Sequence, residues 1–161
     1  MTTKIKGTEG IEFPDATVQA SAAYGKNEFF SGQVLQQRLF TDGGNSSLAA
    51  TLANTSQSTK NFTPKSTNSK IHVSVSFYGA ASSGGTFINT QLNDNTVGLI
   101  GTMNSHGLTV AGNQAVGGWM QEAIVDNTAL TERGFTLWAN NAVGAGGSLT
   151  NQVWSITEVQ N

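Results

Sequence analysis

The sequence predicts an all-β protein: an antiparallel β-sandwich preceded by a short extended N-terminal arm. Three observations carry that prediction. The stretch Ser69-Lys70-Ile71-His72-Val73-Ser74-Val75-Ser76-Phe77-Tyr78 alternates strictly, with Ile71, Val73, Val75 and Phe77 on one face and His72, Ser74, Ser76 and Tyr78 on the other. That is the period of a strand with one wall in a core and one in water. No segment shows a helical period, and about eight strand-like segments recur at spacings of roughly 8–14 residues. Nineteen glycines and abundant Ser, Thr and Asn would by themselves suggest disorder, but three tryptophans and eight phenylalanines supply material for a core.

At 161 residues the chain is long enough for one such core, so a single domain with a short tail is expected. Charged residues are 11% of the chain and the formal net charge is −2, which fits neither a basic nucleic-acid footprint nor a polybasic membrane patch. Neither nucleic acid nor membrane is expected as a partner. No apolar run approaches the roughly 20 residues of a membrane span, and the N-terminus has no signal-peptide stretch. A soluble protein made in the cytosol is expected. With no cysteine, stability must come from packing or oligomerisation.

Residues 1–28 read as an arm distinct from a β-domain over 29–161. Charge is concentrated there: Lys4, Lys6, Glu9, Glu12, Asp15, Lys26 and Glu28. Within it, Ile11 and Phe13 alternate with Glu12, Pro14-Asp15 makes a turn, and Thr17-Val18-Gln19 resumes extended chain. So small a hairpin cannot bury its own apolar face and needs another surface. Residues 29–40 supply an apolar strand through Val34, Leu35, Leu39 and Phe40, closed by a turn at Thr41-Asp42-Gly43-Gly44-Asn45. Residues 46–61 read as a long loop or weak edge strand. Phe62-Thr63-Pro64-Lys65 leads into the alternating strand, and its proline bars that segment from a sheet centre.

Beyond the alternating strand, residues 79–85 read as a small-residue turn. Residues 86–92 are a strand ended by Asn93-Asp94-Asn95, and 96–100 return in hairpin fashion. Residues 101–118 suggest an exposed crossing loop. The last strands are 119–125, 135–139 and 152–159, separated by turns at Asp126-Asn127 and 140–147.

Two blocks carry a family resemblance. Gly10-Ile11-Glu12-Phe13-Pro14-Asp15-Ala16-Thr17-Val18-Gln19 resembles the "G-I-x-F-P-D-G/S/A-T-x-Q" segment of bacteriophage tail-fibre and other virion structural proteins. Ala16 replaces the common glycine, which argues against a positive φ there. Asn61-Phe62-Thr63-Pro64-Lys65-Ser66-Thr67-Asn68-Ser69-Lys70-Ile71-His72-Val73 is similar to the "F-T-P-K-S-x-x-S-K-I-x-V" segment of the C-terminal domains of phage fibres. Trp154-Ser155-Ile156-Thr157-Glu158-Val159 resembles their last strand. The resemblance implies a trimeric, jelly-roll-like domain, related in shape to the C1q and tumour-necrosis-factor heads, on the outer surface of a virus particle. Ile11, Phe13, Pro14, Asp15, Val18 and Gln19 then become the attachment or trimerisation residues, since a threefold axis could bury what the arm alone cannot.

Catalytic and metal chemistry find little support. The only histidines, His72 and His106, lie on the polar face of a strand and in a turn-like stretch, and neither joins a triad. Asp42-Gly43-Gly44-Asn45 and Asn93-Asp94-Asn95 lack the acidic run of a calcium loop. Glu122, Asp126, Glu132 and Asp94 share no motif that would pair them as glycosidase carboxylates, and Glu132-Arg133-Gly134 reads as a turn with a local ion pair. Gly144-Ala145-Gly146-Gly147 lacks the lysine and helix of a phosphate loop. Trp119, Trp138 and Trp154 fit core or subunit interface better than sugar stacking. No catalytic residue, metal or cofactor is therefore expected.

Two functions remain. The first is a trimeric capsid decoration (cement) protein contacting the major capsid protein. The chain starts at Met1, carries a short arm before one β-domain, and has no coiled-coil shaft or long repeat. The alternative is a short tail-fibre or receptor-binding tip, attached to a tail protein and recognising host glycans.

Overall fold

The computed structural model describes residues 4–6, 10–12, 18–19, 31–81, 87–107, 109–111, 114–142 and 146–161. In chain order the strands are β1 (Lys4–Lys6), β2 (Gly10–Glu12), β3 (Val18–Gln19), β4 (Val34–Ser47), β5 (Ala53–Asn54), β6 (Lys60–Phe62), β7 (Ser69–Ala81), β8 (Phe87–Asp94), β9 (Gly98–Gly107), β10 (Thr109–Ala111), β11 (Gln114–Asn127), β12 (Arg133–Asn141) and β13 (Ser148–Gln160). Every pairing is antiparallel.

The first large sheet runs β10-β11-β7-β13-β4; the second runs β5-β12-β8-β9, with β6 also on β12. Counting β5 and β6 as one interrupted strand and setting aside the three-residue edge strand β10, the remaining eight sandwich strands lie 1-8-3-6 in one sheet and 2-7-4-5 in the other. That is a jelly roll, so the β-sandwich read from the sequence is the fold.

The alternating stretch forms β7, in the middle of the first sheet between β11 and β13. Ile71, Val73, Val75 and Phe77 are buried, while His72, Ser76 and Tyr78 are exposed. A one-residue slip would expose all four apolar side chains, each worth about 1.5–3 kcal/mol on burial, so the register of β7 is tightly specified. Facing them across the core are Ile88 and Leu92 of β8 and Phe135, Leu137 and Ala139 of β12, with Trp154 and Ile156 of β13 beside them in the first sheet.

Several expectations need correction. The turn expected over 41–45 is strand, because β4 runs through it to Ser47. Asp42 pairs with Gln152 and Asn45 with Thr150, so Gly43-Gly44 oppose the single residue Asn151, at φ 51°. The glycines mark a bulge rather than a reversal. A Cβ at Gly44 would meet only the end of the exposed Gln57 side chain, which would have to swing aside. Residues 79–81 likewise continue β7 instead of turning.

The crossing loop expected over 101–118 is mostly strand, comprising most of β9, β10 and the start of β11. It reads poorly because Thr90 pairs with Asn104 and Leu92 with Ile100, leaving three residues, Gly101 to Met103, opposite Gln91. Two glutamine side chains occupy the carbonyls this frees: Gln91 Nε2 donates to Gly101 O at 3.0 Å and Gln121 Nε2 to Thr102 O at 2.8 Å. Gly101, at φ 68°, must be glycine, because a Cβ would sit 2.9 Å from Ala123 Cβ on β11. The close approach brings the edges of the two sheets together. The turns expected at Asp126-Asn127 and at Asn93-Asp94 are also strand, at the ends of β11 and β8.

Candidate functional site

The arm is a separate three-stranded sheet, β1-β2-β3, whose strands pair only with one another among the described residues. Ile11 sits opposite both Ile5 and Gln19, and Val18 sits opposite Glu12. β2 and β3 pair antiparallel, and Ile11, Val18 and Gln19 occupy neighbouring register positions on them. Phe13, Pro14 and Asp15 lie outside the described residues.

On the sandwich, the outer face of the first sheet forms ordered rows across β11, β7, β13 and β4. One row is Met120–Ser76–Val153–Thr41, the next Glu122–Ser74–Ser155–Leu39, and the third Ile124–His72–Thr157–Gln37. Hydroxyl residues fill four of the six central positions, with Val153 and His72 in the other two, and the flanks carry Met120, Ile124 and Leu39 beside Glu122, Thr41 and Gln37. Leu39 is 70% exposed and Ile124 60%. Two shallow hollows of about 650 and 640 Å³ lie on this face, one beside Tyr78, Gly118 and Met120, the other beside His72, Glu122 and Ile124.

The outer face of the second sheet has a different chemistry. Trp138 on β12 is flanked by Asn54 on β5 and Gln91 on β8. Adjacent rows are Asn140–Asn89–Ser105 and Thr136–Asn93–Leu99. The Trp138 indole donates to Thr136 Oγ1 at 3.1 Å, which lays the ring along its own strand. Of the three tryptophans expected in core or subunit interface, Trp154 is core and Trp119 packs against that core, whereas Trp138 lies outside the core, partly exposed on an outer surface. The alternation Asn89-x-Gln91-x-Asn93 and Thr136-x-Trp138-x-Asn140 was the available signal.

The charges of the second sheet point the other way. Lys60 of β6 lies buried with its Nζ 2.6 Å from both oxygens of Asp42 and 2.9 Å from Ser58 O. Arg133 of β12 pairs with the fully buried Asp94, its Nε 2.7 Å from Oδ2, and also donates to Asp126 O. The local pair expected within Glu132-Arg133 is thus replaced by a partner 39 residues away. Both aspartates proposed as turn or calcium-loop oxygens are committed to cations, and no cluster of three or more metal-ligating side chains occurs among the described residues.

His106, expected in a turn, lies on β9. Its ring sits 5.1 Å from Trp119 and 5.6 Å from Phe77, and its Nε2 is 2.8 Å from Thr90 Oγ1. Thr90 donates onward to Gln121 Oε1 at 3.0 Å, so its oxygen accepts from the imidazole N–H. Burial pushes the His106 pKa below its ordinary value. The ring is held as part of the bulge-supporting network, and the hydroxyl beside it, Thr90, gives its proton to Gln121 and not to the imidazole.

No protein-family model and no curated protein matches the chain. The class that the structure itself defines is an all-β domain, an antiparallel sandwich of two sheets.

Proposed function

We propose that this protein is a non-catalytic structural subunit of a bacteriophage virion, a homotrimer that decorates the outer surface of the head and grips the shell through residues 1–28. The observation that carries the reading is the outer face of the first sheet. Leu39, Tyr78, Met120, Ile124 and Val153 all stand exposed there, on the same face as Ser74, Ser76, Ser155 and Thr157. An apolar surface of this kind favours burial against sister copies, and a closed symmetric ring satisfies all copies alike. The separate β1-β2-β3 sheet supports the arm, and the two sequence blocks resembling phage fibres support the virion.

Antibody labelling of intact virions tests the location. Label spread over the head is expected. Label confined to the tail favours a fibre tip, and purified virions without the chain overturn the virion assignment. Deleting residues 2–28 is expected to abolish capsid binding while leaving the sandwich folded. The tail-tip reading has one observation in its favour, the uncharged Trp138 face of the second sheet.

A further inference from the structure

We propose that the outer face of the second sheet is a binding platform for neutral glycan chains, with Trp138 as its stacking surface. This deepens the glycan-recognition reading and does not depend on which part of the particle the protein occupies.

The argument starts from how the amides are held. Asn54 uses its Oδ1 to accept from Ser56 N at 2.9 Å, and Asn89 uses its Oδ1 to accept from Ser105 Oγ at 2.6 Å. Gln91 spends its Nε2 on Gly101 O at 3.0 Å, and Asn140 its Nδ2 on Ala50 O at 2.9 Å. Each amide is thereby pinned at one end, and the other end has no partner among the described residues. Two free donors, Asn54 Nδ2 and Asn89 Nδ2, alternate with two free acceptors, Gln91 Oε1 and Asn140 Oδ1. Asn93 makes no bond at either end among the described residues. The groups surround an indole fixed by its bond to Thr136. Side chains already immobilised lose little entropy on binding, so the array is pre-organised.

The charge distribution selects the ligand. The charged side chains of β6, β8 and β12 (Lys60, Asp94 and Arg133) are all buried and paired inside. Among the described residues of β5, β8, β9 and β12, none presents a charge on the outer face. Phosphate, sulfate or carboxylate groups would find no cation there, which disfavours nucleic acid and acidic sugars. A flat apolar protein surface would strand the free amide ends without partners, at a cost for each. Sugar hydroxyls both donate and accept, so they satisfy either kind of free end, while the C–H face of a pyranose covers the indole. From Asn93 to Asn89 the platform runs about 13 Å along β8, which suits a short run of sugar units.

The test is binding of the full-length protein to an array of neutral oligosaccharides built from glucose, galactose, mannose and N-acetylhexosamines, printed beside sialylated and sulfated chains. The best neutral binder is then titrated by tryptophan fluorescence or calorimetry. Neutral chains are expected to bind, and Trp138→Ala is expected to weaken them about tenfold. Asn93→Ala removes no internal hydrogen bond among the described residues, so it is expected to weaken binding several-fold with an unchanged melting temperature. Lys65→Ser, at an exposed side chain away from both outer faces that keeps its backbone N–H on Glu158, is expected to leave binding as it was. Absence of neutral binding, binding confined to acidic chains, or affinity indifferent to both Trp138→Ala and Asn93→Ala would overturn the proposal. Array binding by a protein missing from purified virions would remove the virion reading and leave this one standing.

Discussion

The carboxylate of Glu158 on β13 accepts the backbone N–H of Lys65 at 2.8 Å, joining two segments 93 residues apart. The same carboxylate accepts from Ser66 N, Ser69 Oγ and Gln36 Nε2, and it is 0% exposed with no ion pair to a cation among the described residues. Burial pulls its pKa up, but the Lys65 N–H, the Ser69 hydroxyl, the Gln36 amide and the Ser66 N–H together pull it further down, so it lies below the ordinary value. Two of the sequence blocks with a family resemblance meet at this one side chain. Its role is to fix the turn that feeds the central strand.

Glu158→Gln replaces an anion with a group that points one donor at other donors. It is expected to cost about 2–3 kcal/mol in urea unfolding. Because the folded pKa is depressed, the stabilisation is complete above the ordinary carboxylate value, near 4.3, and is lost as pH falls through the lower folded value. The wild-type urea midpoint should therefore drop below about pH 4.5, and the drop should be smaller in Glu158→Gln.

Lys60→Met leaves Asp42 charged and buried without its cation, and about 3–5 kcal/mol of destabilisation is expected. Replacing both partners, Lys60→Met with Asp42→Leu, should recover most of that loss. A double-mutant cycle by chemical denaturation separates the two outcomes. Equal destabilisation in the single and the double variant would contradict the account of this pair.

Gly101 and Gly98 form an internal comparison. Both have positive φ, 68° and 90°, but an added Cβ meets Ala123 at Gly101 and nothing within 4 Å at Gly98. Gly98→Ala is expected to cost about 1 kcal/mol from backbone strain alone, and Gly101→Ala about 2–4 kcal/mol from strain plus overpacking. Melting temperatures of the two variants give the ranking.

His106 has a depressed folded pKa, so the unfolded chain takes up its proton first as pH falls. Its contribution to stability is full above the ordinary value near 6.5 and declines below it. Thermal unfolding from pH 8 to 5 should show that decline in the wild type and a flatter profile in His106→Gln.

Ile124→Glu places a charge at the flank of the proposed subunit contact, on a side chain that is 60% exposed. Sedimentation velocity should find a trimer for the wild type and a monomer for the variant, with unchanged circular dichroism. A monomeric wild type would remove the trimer from the proposed function.

What was legible in the sequence was the part governed by period two. Ile71, Val73, Val75 and Phe77 announce β7, and Phe135, Leu137 and Ala139 announce β12. The pattern fails where a strand buries charge, as Asp42, Asp94 and Glu158 do, because a carboxylate facing inward looks like a solvent position. It fails again where a bulge shifts the phase, as at Gly43-Gly44 and at residues 101–103. The partners of those carboxylates lie 18, 39 and 93 residues away, and no local rule links them. The Trp138 face was written in plain alternation along β8 and β12, but amides at every second position read as a solvated strand wall until the second sheet places them around the indole.

The position of β13 has a consequence for how the protein is made. β4 pairs with β13, and β7 holds β13 on one side and β11 on the other. While a ribosome is still synthesising the segments before β13, β4 has no sheet partner, and the turn at Lys65 and Ser66 has no carboxylate to close on. The sandwich therefore cannot assemble progressively behind the ribosome; its last long strand is the keystone, and folding waits for it. A chain interrupted before β13 keeps an unpaired β4 and an open core, so only molecules translated through Glu158 can present finished surfaces to a partner.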